Sequence, residues 1–256
     1  MARKLALLTT ESLKTLLDAG WPVVVLVPVG SVEPHGPHLP LATDTIISEA
    51  VAERAAERLE AERGVVALLA PSVPYGVTEF ARGFAGAVSV PGAALAAFLR
   101  AVVESYLNEG LAHVCLVTTH LEPDHDAAVR AAIAGLSPRR ATVACPLARR
   151  WGRTLSDEYK SGACHAGRYE TSLVLAASRS AVDSERARGL PALETSLSRA
   201  IAAGQRTFVE MGLDAAYTGA PGDATEAEGR ELLERLAEMV VVEVSEALAL
   251  EPEAAP

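Results

Sequence analysis

A chain of 256 residues with a formal net charge of −10 is large enough to build one substantial core, and it is too acidic, with no basic block, for a nucleic-acid backbone to be its partner. Its hydrophobic share of 50% against 4% aromatic residues means a core of Ala, Val and Leu, which suits helices packed closely on a parallel sheet. Cys115, Cys145 and Cys164 form no Cys-x-x-Cys pair and cannot all pair with one another, no apolar run reaches the roughly 20 residues of a membrane span, and MARKLALLTT is too weak for a signal peptide, so a reduced, cytoplasmic protein is expected.

The first strong element is WPVVVLVPVG (21–30), apolar without alternation, the pattern of a central parallel strand covered on both faces. A proline- and glycine-rich loop follows, and a helix is expected from about Ile46 to Arg63. GVVALLAP (64–71) reads as the next strand. VPGAALAAFLRAVVESYLNEG (90–110) has helical periodicity with an early Pro and a terminal Gly. HVCLVTTH (113–120) is a further buried strand, succeeded by a helix that begins near Pro123 and ends before Gly135. ATVACP (141–146) is a shorter strand, with Cys115 and Cys145 as small apolar strand residues. Segment 147–168 is less regular, and YETSLVLAASR (169–179) fits helix or strand. GRELLERLAEMVVVEVSEALAL (229–250) closes the chain's fold as a long helix, leaving EPEAAP (251–256) as a flexible tail. This βα succession predicts one α/β domain over residues 1–250, a three-layer α/β/α sandwich with a mostly parallel sheet. Ligands of such sheets bind beyond the C-terminal strand ends.

Two polar clusters stand at those ends. Glu33 and His35 are two residues apart behind the first strand, with Asp44 nine residues further on, and His120 and Glu122 repeat the spacing behind another. In extended backbone such pairs project to one side. Carboxylates and neutral imidazoles suit Zn²⁺, Mn²⁺ or Fe²⁺, and a bridging carboxylate can hold two such ions. The same residues also fit a solvated turn at EPHG and a helix start at TTHLEPDH. In CHAGRYETS, His165 lies between Gly162 and Gly167 and is a candidate proton carrier, while Glu170 either completes a metal shell or opens a helix beside Arg168. His38, between prolines, either orients a carboxylate at the site or is structural. His125 either lines an entrance or lies on a helix surface, and His113 is structural. Arg149, Arg150, Trp151 and Arg153 either border the pocket, attracting a carboxylate or phosphate, or form a solvated loop or subunit contact. No GxSxG elbow, phosphate-loop lysine or GxGxxG fingerprint points to serine, nucleotide or nicotinamide chemistry.

PVGSVEPHGPHLPLATD (28–44), VCLVTTHLEPDH (114–125), HAGRYETS (165–172) and GAPGDATEAEGREL (219–232) together resemble, in order and over most of the chain, the creatininase (creatinine amidohydrolase) family. The resemblance implies a Rossmann-like α/β/α fold, homo-oligomers that are often hexamers, and two divalent ions at the strand ends. It implies Glu33, His35, Asp44 and His120 as ligands, with Asp44 bridging. Where many members carry HGGN this chain has HLEP, and the His-x-Glu arrangement of creatininase itself implies Glu122 as a ligand; the expected centre has Glu170 as a possible additional one. HAGRYETS is similar to a segment of the family's mycofactocin precursor peptidase, which removes a short peptide. The expected activity is hydrolysis of a carbon–nitrogen amide bond in a small cyclic amide or formamide by metal-activated water, with Glu122 and His165 catalytic and Trp151 and His38 as substrate contacts. The alternatives are a peptidase trimming a short peptide and an inactive metal-stabilised binding or structural protein. With only Trp21 and Trp151 available for an aromatic clamp, creatinine itself is disfavoured.

Overall fold

The computed structural model describes residues 2–250, and the expected flexible tail at 251–256 lies outside them. Five parallel strands, β1 (Arg3–Lys4), β2 (Val23–Val29), β3 (Val66–Leu69), β4 (His113–Thr118) and β5 (Ala141–Ala144), form one sheet in the order β1-β3-β2-β4-β5. Every residue of β2 and β4 is buried, as their unbroken apolar runs require of central strands. Their register runs from Val24 opposite His113 to Val29 opposite Thr118. The two strands therefore end level, and the segments that follow them leave the sheet side by side.

Ten helices accompany the sheet among the described residues: α1 (Thr10–Asp18), α2 (Thr43–Arg63), α3 (Gly92–Asn108), α4 (Pro123–Ala132), α5 (Arg149–Gly152), α6 (Asp157–Ser161), α7 (Arg168–Ala177), α8 (Ser184–Gly189), α9 (Leu197–Ala202) and α10 (Glu226–Leu248). Side chains alternate across β2 with the period of two that a strand imposes. Val24 and Leu26 pack with α2, α7 and α10 through Val51, Leu59, Leu173 and Leu236. Val25 and Val27 pack on the opposite face with α3 and α4 through Leu99, Val103 and Val129. This is the expected three-layer α/β/α sandwich. Each such Val or Leu contributes roughly 1.5–3 kcal/mol on burial, which is why a core almost without aromatics suffices. No described helix is long and apolar enough to cross a membrane.

Several boundaries differ from the sequence pattern for local reasons. Helix α2 starts at Thr43 rather than Ile46, because Thr43 Oγ1 donates to the Pro40 carbonyl at 2.7 Å and turns the chain early; Asp44 is thus in the first helical turn and not in the loop. Helix α10 starts at Glu226 rather than Gly229. The signal is Thr-x-x-Glu: Thr225 Oγ1 accepts the Glu228 N–H at 3.1 Å. Gly229 lies so close to the Ser172 carbonyl of α7 that a Cβ there would collide with it, and this contact lets the ambiguous 169–179 segment pack as a helix. Cys115 is in β4, whereas Cys145 falls one residue past β5; all three cysteines are free and buried.

Two parts of the molecule have no counterpart in the expected elements. Strand β1 and helix α1 cover one edge and lay Leu13, Leu16 and Leu17 against the core. Residues between α8 and α10 build a third apolar cluster, in which Phe208, Met211 and Leu213 meet Phe80 and Phe84. The Phe208 N–H donates to the Phe80 carbonyl at 2.8 Å, tying two segments well over a hundred residues apart.

Candidate metal centre

Four segments converge beyond the ends of β2 and β4. The loop after β2 brings Glu33 and His35, the first turn of α2 brings Asp44, the chain after β4 brings His120, and the first turn of α7 brings Glu170. All five are buried. His120 Nδ1 is 3.1 Å from Asp44 Oδ2 and 3.4 Å from Glu33 Oε1. His35 Nε2 is 3.6 Å from each of Glu33 Oε1, Asp44 Oδ1 and Glu170 Oε2. Asp44 therefore directs one oxygen to each histidine, and the donors group as Glu33–Asp44–His120 and His35–Asp44–Glu170. Glu33, His35 and His165 form a further group.

The histidines are oriented by main-chain carbonyls. His35 Nδ1 donates to the Glu33 carbonyl at 3.0 Å, His120 Nε2 to the Val77 carbonyl at 2.7 Å, and His165 Nε2 to the Pro34 carbonyl at 3.0 Å. A carbonyl only accepts, so these nitrogens carry the protons and the opposite ring nitrogens face the carboxylates. This is the support that metal-ligating imidazoles use. Glu33 Oε2, His35 Nε2 and Asp44 Oδ2 have no hydrogen-bond partner although buried; the close approach of Asp44 Oδ2 to His120 lacks hydrogen-bond geometry. Donors around a tetrahedral ion with bonds of about 2.0–2.1 Å lie roughly 3.3 Å apart. The 3.1–3.6 Å spacings and the orphaned donor atoms fit divalent cations.

The protonation balance points the same way. Burial works against charge on His35, yet Asp44, Glu170 and Glu33 push its pKa up to about 10. His120 is raised well above the ordinary imidazole value, again by Asp44 and Glu33 against burial. Burial favours the neutral carboxyl at Asp44 and Glu33, but the histidines hold both below the usual range. Glu170 is pushed up to about 8 by burial and by the neighbouring Asp44 and Glu33 charges, which outweigh His35. Such a cage demands positive charge, and divalent cations satisfy it without protonating the ligands.

The remaining sequence-predicted residues separate. Glu122 lies outside the three groups: its carboxylate accepts the N–H groups of Glu79 at 3.0 Å and Phe80 at 3.2 Å. It lines the adjoining cavity, and burial raises its pKa to about 7. His165 also lines the cavity, stacked on Phe208 at 4.4 Å; burial and His35 depress it to about 4. His38 does not line the cavity: it is buried and hydrogen-bonded through Nε2 to Thr171 Oγ1 at 2.9 Å. Trp151 turns away from the cavity, because its indole N–H donates to Glu243 of α10 at 2.6 Å. His125 lies neither at an entrance nor on a surface. It is buried with its ring 4.7 Å from that of His120, edge-on, bonded to Thr118 Oγ1 and the Val77 N–H. His113 is structural, held by the Arg139 carbonyl and Thr142.

Sequence reasoning missed the cavity wall. A cavity of about 590 Å³ opens onto Glu33, His120, Glu122, His165 and Glu170, and its apolar side is Phe80, Phe208, Met211, Leu197 and Ile201. Three of only four phenylalanines, Phe80, Phe84 and Phe208, converge here, and that scarcity was the available signal. Two positioning groups were missed as well. Glu158 accepts the N–H groups of Tyr169 and Ala220 at 2.6 and 2.7 Å, clamping the loop that carries His165. Ala166 has φ of 49°, a left-handed conformation costing about 1–2 kcal/mol, and its N–H donates to Glu170 Oε2 at 2.6 Å.

Comparison with known proteins agrees with this architecture. The family model for creatininase, creatinine amidohydrolase, matches residues 6–244. A mycofactocin precursor peptide peptidase of Mycobacterium tuberculosis is 33% identical over 81% of this chain and 79% of its own length. One from Mycolicibacterium smegmatis is 53% identical over a shorter stretch, 28% of this chain and 29% of the relative. The solved structure "Creatininase Mn" shares the fold with a TM-score of 0.72 at 21% identity, covering 97% of this chain and 99% of its own. The fold and the metal-ligand groups support metal-dependent amide hydrolysis in general terms. Over nearly its whole length, the chain belongs to the creatininase family.

Proposed function

We propose that the protein is a dinuclear metal-dependent hydrolase that cuts an amide bond in a short peptide or peptide-like substrate. The observation that carries this reading is the division of one buried acidic cluster into two triads sharing Asp44. Glu33, Asp44 and His120 would hold one divalent cation, and His35, Asp44 and Glu170 would hold the other; Zn²⁺, Mn²⁺ and Fe²⁺ all suit these donors. When bound, such ions supply Lewis acidity that activates water and polarises an amide carbonyl. Glu122, on the cavity wall with a pKa near neutrality, takes the proton of the attacking water and passes it to the departing nitrogen. His165 is too weak a base to be charged at neutral pH, so its Nδ1 serves as an acceptor for the centre or for a substrate N–H rather than as the proton donor.

Two observations support an extended substrate over a clamped small ring: the cavity volume of about 590 Å³ and the turning of Trp151 towards α10. The similarity to mycofactocin precursor peptide peptidases points in the same direction. The direct opening of the cavity onto the ligand residues supports an enzyme over a closed structural metal site. The test is metal content of protein purified without added metal, with hydrolysis of short peptides, cyclic amides and formamides followed before and after chelation. About two ions per chain and chelator-sensitive cleavage of peptides are expected. Cleavage confined to cyclic amides or formamides restores the small-substrate reading, and no metal-restorable cleavage at all removes the enzyme.

A further inference from the structure

The cavity mouth has the opposite charge to the rest of the molecule. Apart from Glu33 and Glu170 at the metal centre and Glu122 beside it, the charged residues lining it are Arg149, Arg153 and Lys160, in a chain with 33 acidic and 23 basic side chains. Lys160 is held by Asp157 at 2.6 Å. Arg150 faces α10, ion-paired with Glu243 and Glu246 and lying 4.6 Å over the Trp151 ring. Its neighbours Arg149, at the start of α5, and Arg153, just past its end, behave differently. Arg149 and Arg153, four residues apart and so on one side of the turn, line the cavity. Among the described residues neither has an acidic partner, although acids outnumber bases in the chain. A planar guanidinium with five donors is the side chain best suited to a carboxylate or phosphate.

We propose that Arg149 and Arg153 form an anion subsite for the substrate, so that the natural amide joins an apolar group, packed on Phe80, Phe208 and Met211, to a carboxylate or phosphate at the cavity mouth. This rests on the reading of the cavity as the substrate site of an amide hydrolase. Two divalent cations at the centre would balance the charge of Glu33, Asp44, Glu170 and Glu122, so an anionic substrate would meet no net repulsion from the floor.

The test uses the full-length, zinc-loaded protein and three fluorescent probes with amidated C-termini, so that the last side chain carries the only anion: dansyl-Phe-Leu-Asp-amide, dansyl-Phe-Leu-Asn-amide and dansyl-Phe-Leu-phosphoserine-amide. Binding is read by anisotropy, independently of turnover. The aspartate probe is expected to bind about fivefold more tightly than the asparagine probe, the effect of one partly exposed ion pair. The preference should vanish in the Arg149→Gln/Arg153→Gln double variant and persist in Arg150→Gln. A phosphoserine probe that binds more tightly still, and loses this in the double variant, assigns the subsite to phosphate; parity with aspartate assigns it to carboxylate. Equal binding of the aspartate and asparagine probes, a preference that survives the double substitution, or no binding of either acidic probe overturns the inference. Charge preference in a protein that cleaves nothing sinks the hydrolase and keeps the subsite, and cleavage without charge preference does the reverse.

Discussion

His120 Nε2 donates to the carbonyl of Val77 at 2.7 Å, and that one bond decides which face of the imidazole is turned to the carboxylates. The Val77 N–H donates to His125 Nδ1 at 3.3 Å, and His125 in turn meets Thr118 Oγ1 at 3.0 Å through Nε2. Val77 is thus gripped on both sides by histidines, one at the centre and one behind it. His125→Leu should keep the fold while weakening metal binding by about 10- to 100-fold, the usual effect of removing the support of a ligand. Competition titration with a chromogenic chelator reads the affinity. An unchanged affinity would make His125 a packing residue only.

The two candidate carboxylates differ in what they hold. Glu170 shares the triad with His35 and Asp44, whereas the oxygens of Glu122 are bonded to the Glu79 and Phe80 amides. Glu170→Gln is expected to lower the metal content from about two ions to about one per chain. Glu122→Gln should retain both ions and lose cleavage by at least about a hundredfold, as expected when a proton carrier is removed. Elemental analysis of the purified variants, paired with the peptide assay, separates the roles; loss of an ion from Glu122→Gln would make it a ligand.

The apolar wall can be tested apart from the metals. Phe208 is buried between Phe80, Phe84 and His165. Phe208→Ala should destabilise the protein by about 3 kcal/mol in urea unfolding. Metal content should stay constant while KM for peptides with apolar side chains rises more than kcat falls. A fall in kcat alone would place Phe208 in the chemistry through its contact with His165.

His113 stands at the first residue of β4, at the end of the strand remote from the metal centre, bonded to the Arg139 carbonyl and Thr142. Burial lowers its pKa below the ordinary imidazole value, so the unfolded chain binds this proton more readily than the folded one. Stability contributed at this site is present at neutral pH and declines as pH falls through the unfolded imidazole pKa of about 6.5. Melting curves between about pH 5 and 8 should show this acid-side loss in the parent and a flatter dependence in His113→Gln. Parallel curves would assign the acid sensitivity to other groups.

Gly229 marks the closest approach of α10 to α7, against the Ser172 carbonyl. Gly229→Ala must push the helices apart, and a loss of at least about 2 kcal/mol is expected. Because α7 carries Glu170 in its first turn, a drop in metal affinity should accompany it. Calorimetry of the metal-free and metal-loaded protein measures both, and a variant as stable as the parent would mean that the helices adjust freely.

The sequence by itself determined four of the sheet's five strands and most of the donors of the centre. Strands β2 and β4 were legible because burial on both faces removes any alternation from their apolar runs, and Glu33, His35 and His120 were legible because they follow those strands directly. The tertiary structure decided the rest. Asp44 entered the site from a helix that begins three residues earlier than its periodicity suggests, and Glu170, open between ligand and helix start, proved to occupy a helix start that faces His35. The opposite orientations of Arg150 and Arg153, the turning of Trp151 towards Glu243, and the meeting of Phe80 with Phe208 have no local signature. Periodicity reports which face of its own element a residue occupies, whereas a cavity is made by faces of segments far apart in the chain, and only packing determines which of them meet.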